Sequence, residues 1–176
     1  MFALAGAVNL AFVKERDMTR RDACAATIAV AISLFIATVS GAQSVNDAVA
    51  VEAWLKGYDA VFLSKDLSKI APFYHPDVTI YEGAGVNNGW VDYRDRHLGP
   101  ELKSFENLEF AHSGTKITML PGGESAYATS RYTIKARMGD RTLDNEGLET
   151  LLLVKTPEGW KIRHSHTSGR ARRPTP

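Results

Sequence analysis

The densest run of chemically capable side chains is Arg163-His164-Ser165-His166-Thr167-Ser168. In an extended segment side chains alternate, so His164, His166 and Ser168 share one face and Arg163, Ser165 and Thr167 the other. A His-x-His pair projects two imidazoles together, a spacing that metal ions use, but a zinc site usually needs a third protein ligand. His97 and Glu101, at i and i+4 on a helical stretch, complete one only if that helix packs on the same face. A structural role for both histidines is therefore favoured, and no metal site is assigned. The opposite register is polar, and two arginines, Arg131 and Arg163, are available to clamp a carboxylate. The plainer account pairs them with Glu82 or Glu149. Arg94, His97 and Glu101 point about the same way from their helix, inward or outward.

These side chains need a scaffold, and the pattern supplies one. Val51, Trp54, Leu55, Tyr58, Val61 and Phe62 follow the i, i+3, i+4, i+7 rule of an amphipathic helix, with Ser44 or Asn46 as its N-cap. A break at Ser64-Lys65-Asp66 leads to a short second helix over 67–74. Pro76-Asp77 turns the chain into an alternating strand over 78–82, and a glycine-rich bend over 83–89 follows. A third helical stretch over 90–105 is interrupted at Gly99-Pro100. Strands are expected over 108–120, 125–138, 142–155 and 160–168. Pro121-Gly122-Gly123, Gly139-Asp140 and Pro157-Glu158-Gly159 separate them as hairpin turns, giving an antiparallel meander. Helices first and strands last argue for α+β.

This order resembles the nuclear-transport-factor-2-like superfamily, which includes ketosteroid isomerases and SnoaL-like polyketide cyclases. The resemblance spans residues 45–169. It rests on Tyr58 through Asp66, on Asp77-Val78-Thr79-Ile80-Tyr81-Glu82, and on Gly159 through Gly169. The last block is similar to the closing strand of the association (hub) domain of calcium/calmodulin-dependent protein kinase II and its bacterial relatives. The resemblance implies a cone: a curved antiparallel sheet with three N-terminal helices packed on its concave side. It implies catalytic roles for Glu82, as a proton shuttle, and Tyr58, as a donor to a substrate carbonyl. A carboxylate in a partly apolar pocket gains proton affinity, and a phenol can donate to a developing enolate. Alternatively Tyr58 is a core residue and Glu82 a polar strand end. Glu149 is the nearest counterpart of a third isomerase group. By the same likeness Trp160, Ile162, His164 and His166 lie on the outer face and meet a partner subunit. The pocket is then lined by Tyr127, Thr129, Arg131, Glu149, Arg163, Ser165 and Thr167, with Arg94 and His97 at its mouth. The hub's ligand-gripping positions read Thr129, Leu151 and Thr167 here, so its ligand preference does not transfer. A carbonic anhydrase class on this scaffold wants His and Ser where Thr167 and Gly169 stand.

Residues 18–42 read as a secretory leader, with an uncleaved N-terminal anchor as the main competitor: Arg20-Arg21, an uncharged apolar run, then Ser40-Gly41-Ala42 as a cleavage site. Residues 1–17 fit an over-extended start, and 170–176 a basic flexible tail. Asp22 spoils a twin-arginine reading, and Cys24 lies at the wrong end of the run for a lipoprotein. Cys24 is also the only cysteine, so the exported domain, 43–169, cannot use disulfides. Beyond residue 42 there are seventeen basic and seventeen acidic residues, which favours neither nucleic acid nor membrane. The expectation is a periplasmic or secreted homodimer, or larger homo-oligomer, binding a small, anionic organic ligand, with no cofactor. Whether it is also an enzyme is left open. A non-enzymatic, hub-like assembly module is the alternative.

Overall fold

A computed structural model describes residues 47–173. The leader, the residues before it, Ser44 and Asn46 all lie outside the described residues. Helix α1 covers residues 47–63 and buries Val51, Leu55, Tyr58 and Phe62, with Trp54 and Val61 packed alongside. The apolar spacing read from the sequence is the core-facing stripe. The helix ends where Lys65 takes a positive φ of 56°. Its amine then donates to the Phe105 carbonyl at 2.7 Å, tying this end to the third helical segment. Asp66 caps the next turn, accepting from the Ser68 amide at 3.0 Å.

Helix α2, Leu67–Ile70, is shorter than expected, because Pro72 sits in the 3-10 turn Ala71–Phe73 that follows it. Tyr74 therefore opens strand β1, Tyr74–Glu82, instead of closing a helix. The glycine-rich bend contains a strand of its own, β2 (Gly85–Asn88), paired antiparallel with β1 around Gly83. The third helical segment is α3 (Trp90–Tyr93), a wide π turn (Arg94–Leu98) and α4 (Gly99–Ser104). The expected interruption thus falls one turn earlier. The Gly99 amide donates to the Arg94 carbonyl, which approaches so closely that only glycine fits. Strands β3 (Glu106–Met119), β4 (Ser125–Met138), β5 (Arg141–Thr156) and β6 (Gly159–Ala171) complete the chain.

The six strands form one curved, unclosed sheet in the order β2-β1-β6-β5-β4-β3. The architecture is α+β, but the sheet is mixed: β1 runs parallel to β6. Hairpin turns dictate antiparallel neighbours only where a hairpin joins them, and no hairpin joins these two. The core lies between the helices and one sheet face, where Val78, Ile80, Ala126, Ala128, Leu151, Leu153, Trp160 and Ile162 are buried.

The strand pairings shift register at several places, and two of these bulges bend the sheet around the site. One lies in β3 between Ser113 and Lys116, with Gly114 at φ 62°. The other lies in β6: Ile162 pairs with Leu153 and His164 with Leu152, so Arg163 is the extra residue. Before it Trp160 and Ile162 face the core; after it Ser165 does. This corrects the assignment of Trp160 and Ile162 to the outer face. A bulge shifts the alternation by one, so a period-two reading cannot cross it.

Candidate functional site

A cavity of about 240 Å³ opens between the helices and the inner sheet face. Its polar floor is a single cross-strand row: Glu82 on β1 pairs with Thr167 on β6, Thr167 with Glu149 on β5, and Glu149 with Ser130 on β4. Residues paired across neighbouring strands point to the same face. The opposite wall is aromatic. Tyr58 from α1 and Tyr74 from β1 share a hydrogen bond, hydroxyl to hydroxyl, at 2.7 Å. The Tyr74 ring stacks on Trp90 at 4.9 Å, and Tyr93 packs beside it. Burial pushes the Tyr58 hydroxyl well above its ordinary value, with the neighbouring phenols adding to it, and burial likewise raises Tyr74. Both stay protonated; one donates to the other, which leaves a single hydroxyl hydrogen of the pair to donate onward.

Glu149 is held at both oxygens: Oε1 accepts from the Ser165 hydroxyl at 2.9 Å, and Oε2 lies 2.7 Å from His112 Nε2. The other imidazole nitrogen, Nδ1, lies 2.6 Å from Asp59 Oδ1. Asp59 also accepts from the His112 backbone amide at 3.1 Å. Burial opposes a charge on this imidazole. The hydrogen bonds and charges of Asp59 and Glu149 outweigh it and raise His112 to about 9. The result is a cation between two carboxylates, donating one N–H to each.

Glu82 stands at the mouth. Its Oε2 is 3.4 Å from His97 Nε2, which lies 3.5 Å from Glu101 Oε1. His97 Nδ1 reaches the Asn87 side-chain oxygen at 2.9 Å, so the π turn and β2 jointly fix the ring. Desolvation raises the Glu82 carboxyl, His97 opposes the shift, and Glu101 and Glu149 add to it. His97 in turn is raised by its bond to Glu101, against its burial.

Tyr132 shapes the remaining wall. It pairs with Gly147, which pairs with Gly169. A Cβ on Gly147 would sit 2.6 Å from the Tyr132 ring, and one on Gly169 would collide with its hydroxyl. The ring thus crosses two strands only because both positions lack side chains.

The structure brings Tyr58, Glu82, Glu149, Ser165 and Thr167 around one cavity, with His97 at its mouth. It does not bring the arginines there. Arg94 pairs with Asp95 at 2.6 Å. Tyr127, Thr129 and Arg131 occupy the exposed register of β4, because Ala126, Ala128 and Ser130 take the buried one. The close approach of the helices selects small residues there, which a search for polar side chains overlooks. Arg163, the bulged residue, donates to the Asp77 carbonyl at the surface. No carboxylate clamp is formed in the cavity.

His164 and His166 lie on the outer face. His164 Nδ1 meets Thr79 Oγ1 at 2.7 Å, and both rings meet Tyr81 edge-on. His97 and Glu101 are on the cavity side, so the third-ligand arrangement does not form. Among the described residues no cluster suits a metal ion. The sequence reading missed Asp59, Tyr74, Tyr93, His112 and Tyr132. His112 was recoverable, since Leu108, Phe110 and His112 share one strand register.

A curved sheet whose cavity is roofed by N-terminal helices defines a nuclear-transport-factor-2-like protein. Within that class the chain belongs to the SnoaL-like domain family, whose model matches residues 51–171. Among solved structures, a superfamily member from Salmonella enterica shares 21% identity, covers 76% of this chain and 94% of its own, and superposes with a TM-score of 0.59. A protein from Shewanella frigidimarina described as a candidate ketosteroid isomerase shares 26% identity over 65% of this chain and 90% of its own, with a TM-score of 0.56. The calcium/calmodulin-dependent protein kinase II hub of S. rosetta shares 20% identity over 70% and 96%, with a TM-score of 0.57. A search of curated proteins finds no match.

Proposed function

We propose that this chain is an acid–base enzyme that enolises a small, uncharged carbonyl compound. The observation carrying this is that one cavity with an aromatic wall holds the Glu82 carboxylate, whose proton affinity is raised, and the neutral Tyr58–Tyr74 phenol pair. A phenol donates to the substrate carbonyl oxygen while Glu82 removes a proton from the adjacent carbon. The electron pair of the broken C–H bond moves to that oxygen as an enolate, and Glu82 returns the proton to this or a conjugated carbon.

An anionic ligand fits the cavity poorly, because Arg131 and Arg163 lie outside it while Glu82, Glu101 and Glu149 line it. The Shewanella neighbour's description as a ketosteroid isomerase supports this class of chemistry. The test is deuterium uptake. In D2O the wild-type protein should catalyse exchange at the carbon next to the carbonyl in at least one member of a panel of small cyclic and aromatic ketones, followed by proton NMR. Uptake no faster than buffer across the whole panel defeats the reading.

A second reading, compatible with the first, is that the protein works as an exported homodimer. Its support is an outer sheet face carrying Tyr81, Val86, Tyr127 and Leu148, each at least 40% exposed, beside His164 and His166. Export rests on the basic start, uncharged run and small-residue end of residues 18–42. The protein recovered from outside the cytoplasm should begin near Gln43 and have the native mass of a dimer, reduced to a monomer by Tyr81→Lys. A chain retaining residues 2–16, or a monomeric wild type, refutes the corresponding half.

A further inference from the structure

We propose that Tyr132 is a specificity-determining residue: an aromatic ring of the substrate packs on it, so that the substrate is a small aromatic ketone. This rests on the reading of the cavity as a carbonyl site, but its test reads binding, so the two fail separately.

Tyr132 lines the cavity from β4. It pairs with Gly147 on β5, which pairs with Gly169 on β6, one row along from Ser130, Glu149 and Thr167 on the same sheet face. A side chain at either glycine would point inward with that row. The Tyr132 ring takes this space instead. Its edge lies 2.6 Å from where a Gly147 Cβ would stand, and its hydroxyl end occupies the corresponding place at Gly169. The ring is therefore held against the backbone on the inner side of the sheet, and the surface it keeps free is turned to the cavity.

That surface lacks the partner its neighbours have. Tyr58, Tyr74 and Tyr93, the other tyrosines of the cavity, each pack against another ring at 5.8 Å or closer, whereas Tyr132 has no aromatic neighbour of this kind among the described residues. It is nevertheless only partly buried. A ligand ring supplies the contact, and aromatic pairs, stacked or edge-on, add to the area they bury.

Position and size narrow the ligand further. Rows on one sheet face repeat every second residue, roughly 7 Å along a strand. Tyr132 stands one repeat from the row of carboxylates, and its ring reaches across to β6, the strand that pairs with Glu82 through Thr167. A ring packed on Tyr132 thus carries a carbonyl substituent toward Glu82 and the phenols. The cavity, about 240 Å³, is smaller than the roughly 300 Å³ at which sites for drug-sized molecules begin, so it suits one ring with a short substituent.

The probes are acetophenone and cyclohexyl methyl ketone, which share a skeleton and a carbonyl and differ in the aromaticity of the ring. They are titrated by NMR into wild type, Tyr132→Leu and Tyr132→Phe. Wild type should bind acetophenone about fivefold more tightly, the worth of one aromatic pair. Tyr132→Leu should remove the preference by weakening acetophenone, with the saturated ketone within about twofold of wild type. Tyr132→Phe should keep the preference. Gly169→Ala tests the seat of the ring by another route. Its methyl displaces the hydroxyl end of Tyr132, so acetophenone should bind less tightly, and adding Tyr132→Phe, which removes that hydroxyl, should restore binding. A wild type that binds both ketones alike, or neither, overturns the assignment. So does a preference that survives Tyr132→Leu or is lost in Tyr132→Phe.

Discussion

Glu82→Gln is expected to slow ketone deuterium exchange by about 10²–10⁴-fold, the usual contribution of a positioned general base. Glutamine keeps the shape of the strand end and the reach toward His97, 3.4 Å away, but cannot take a proton. The pH profile sharpens the test. Desolvation raises the Glu82 carboxyl, so the wild-type rate should climb with pH through a midpoint above the ordinary carboxylate value. The glutamine variant should lack this limb. A folded-state proton affinity raised by desolvation also means that ionised Glu82 stabilises nothing above that midpoint. The variant's melting temperature should therefore stay within a few degrees of wild type at neutral pH. An exchange rate equal to wild type excludes Glu82 as the base.

His112→Ala is expected to produce the largest loss of stability, about 3–5 kcal/mol, as when one member of a buried ion pair is removed. The reason is what remains: Glu149, 13% exposed, and Asp59, 23% exposed, would face the gap without a counter-charge. In a domain of this size each kcal/mol moves the melting temperature by a few degrees, so a fall of roughly 10 °C or more is anticipated. The pH dependence has a definite sign. The folded-state value of His112, about 9, lies above its ordinary 6.5. Its contribution is therefore complete below pH 6.5 and disappears as the pH rises through 9, by up to about 3 kcal/mol. Thermal melts between pH 6 and 9.5 should show wild type losing stability across this window, while His112→Ala changes little. Parallel profiles would refute the charged-imidazole assignment.

Much of this architecture was legible in the sequence, for identifiable reasons. The stripe Val51, Leu55, Tyr58, Phe62 is long and periodic, so α1 needed no tertiary information. The turns at Pro121-Gly122-Gly123, Gly139-Asp140 and Pro157-Glu158-Gly159 place the strand ends that flank them within one residue, while β6 runs three residues past its expected end, to Ala171. Glu82, Glu149, Ser165 and Thr167 reach one row because alternation holds along each strand near its pairings. What failed was whatever alternation alone does not determine. Arg163 is displaced by a bulge that no residue type announces. On β4 the choice between Tyr127-Thr129-Arg131 and Ala126-Ala128-Ser130 depends on how closely the helices approach. The Asp59–His112–Glu149 network joins positions 53 and 37 residues apart, and such pairs become visible only when α1 is laid on the sheet. Tyr74 was hidden by Pro72, which shortens the helix it was assigned to.

The parallel pairing of β1 with β6 has a consequence for the order of assembly. Strands β3 to β6 are linked by short hairpins and can zip sequentially, each closing a small loop. Joining β1 to β6 brings together segments as distant as Thr79 and His164, 85 residues apart, and that closure meets its full entropic cost before any contact rewards it. The β3–β6 meander thus forms early and the β1–β2 edge docks late. The same edge is the first to detach in partial unfolding, because it leaves three hairpins intact behind it. Glu82 travels with this edge while Thr167 and Glu149 stay with the meander. The row that floors the cavity is consequently completed only when Glu82 docks, and amide exchange should protect the β1–β2 edge less than the β4–β5 ladder.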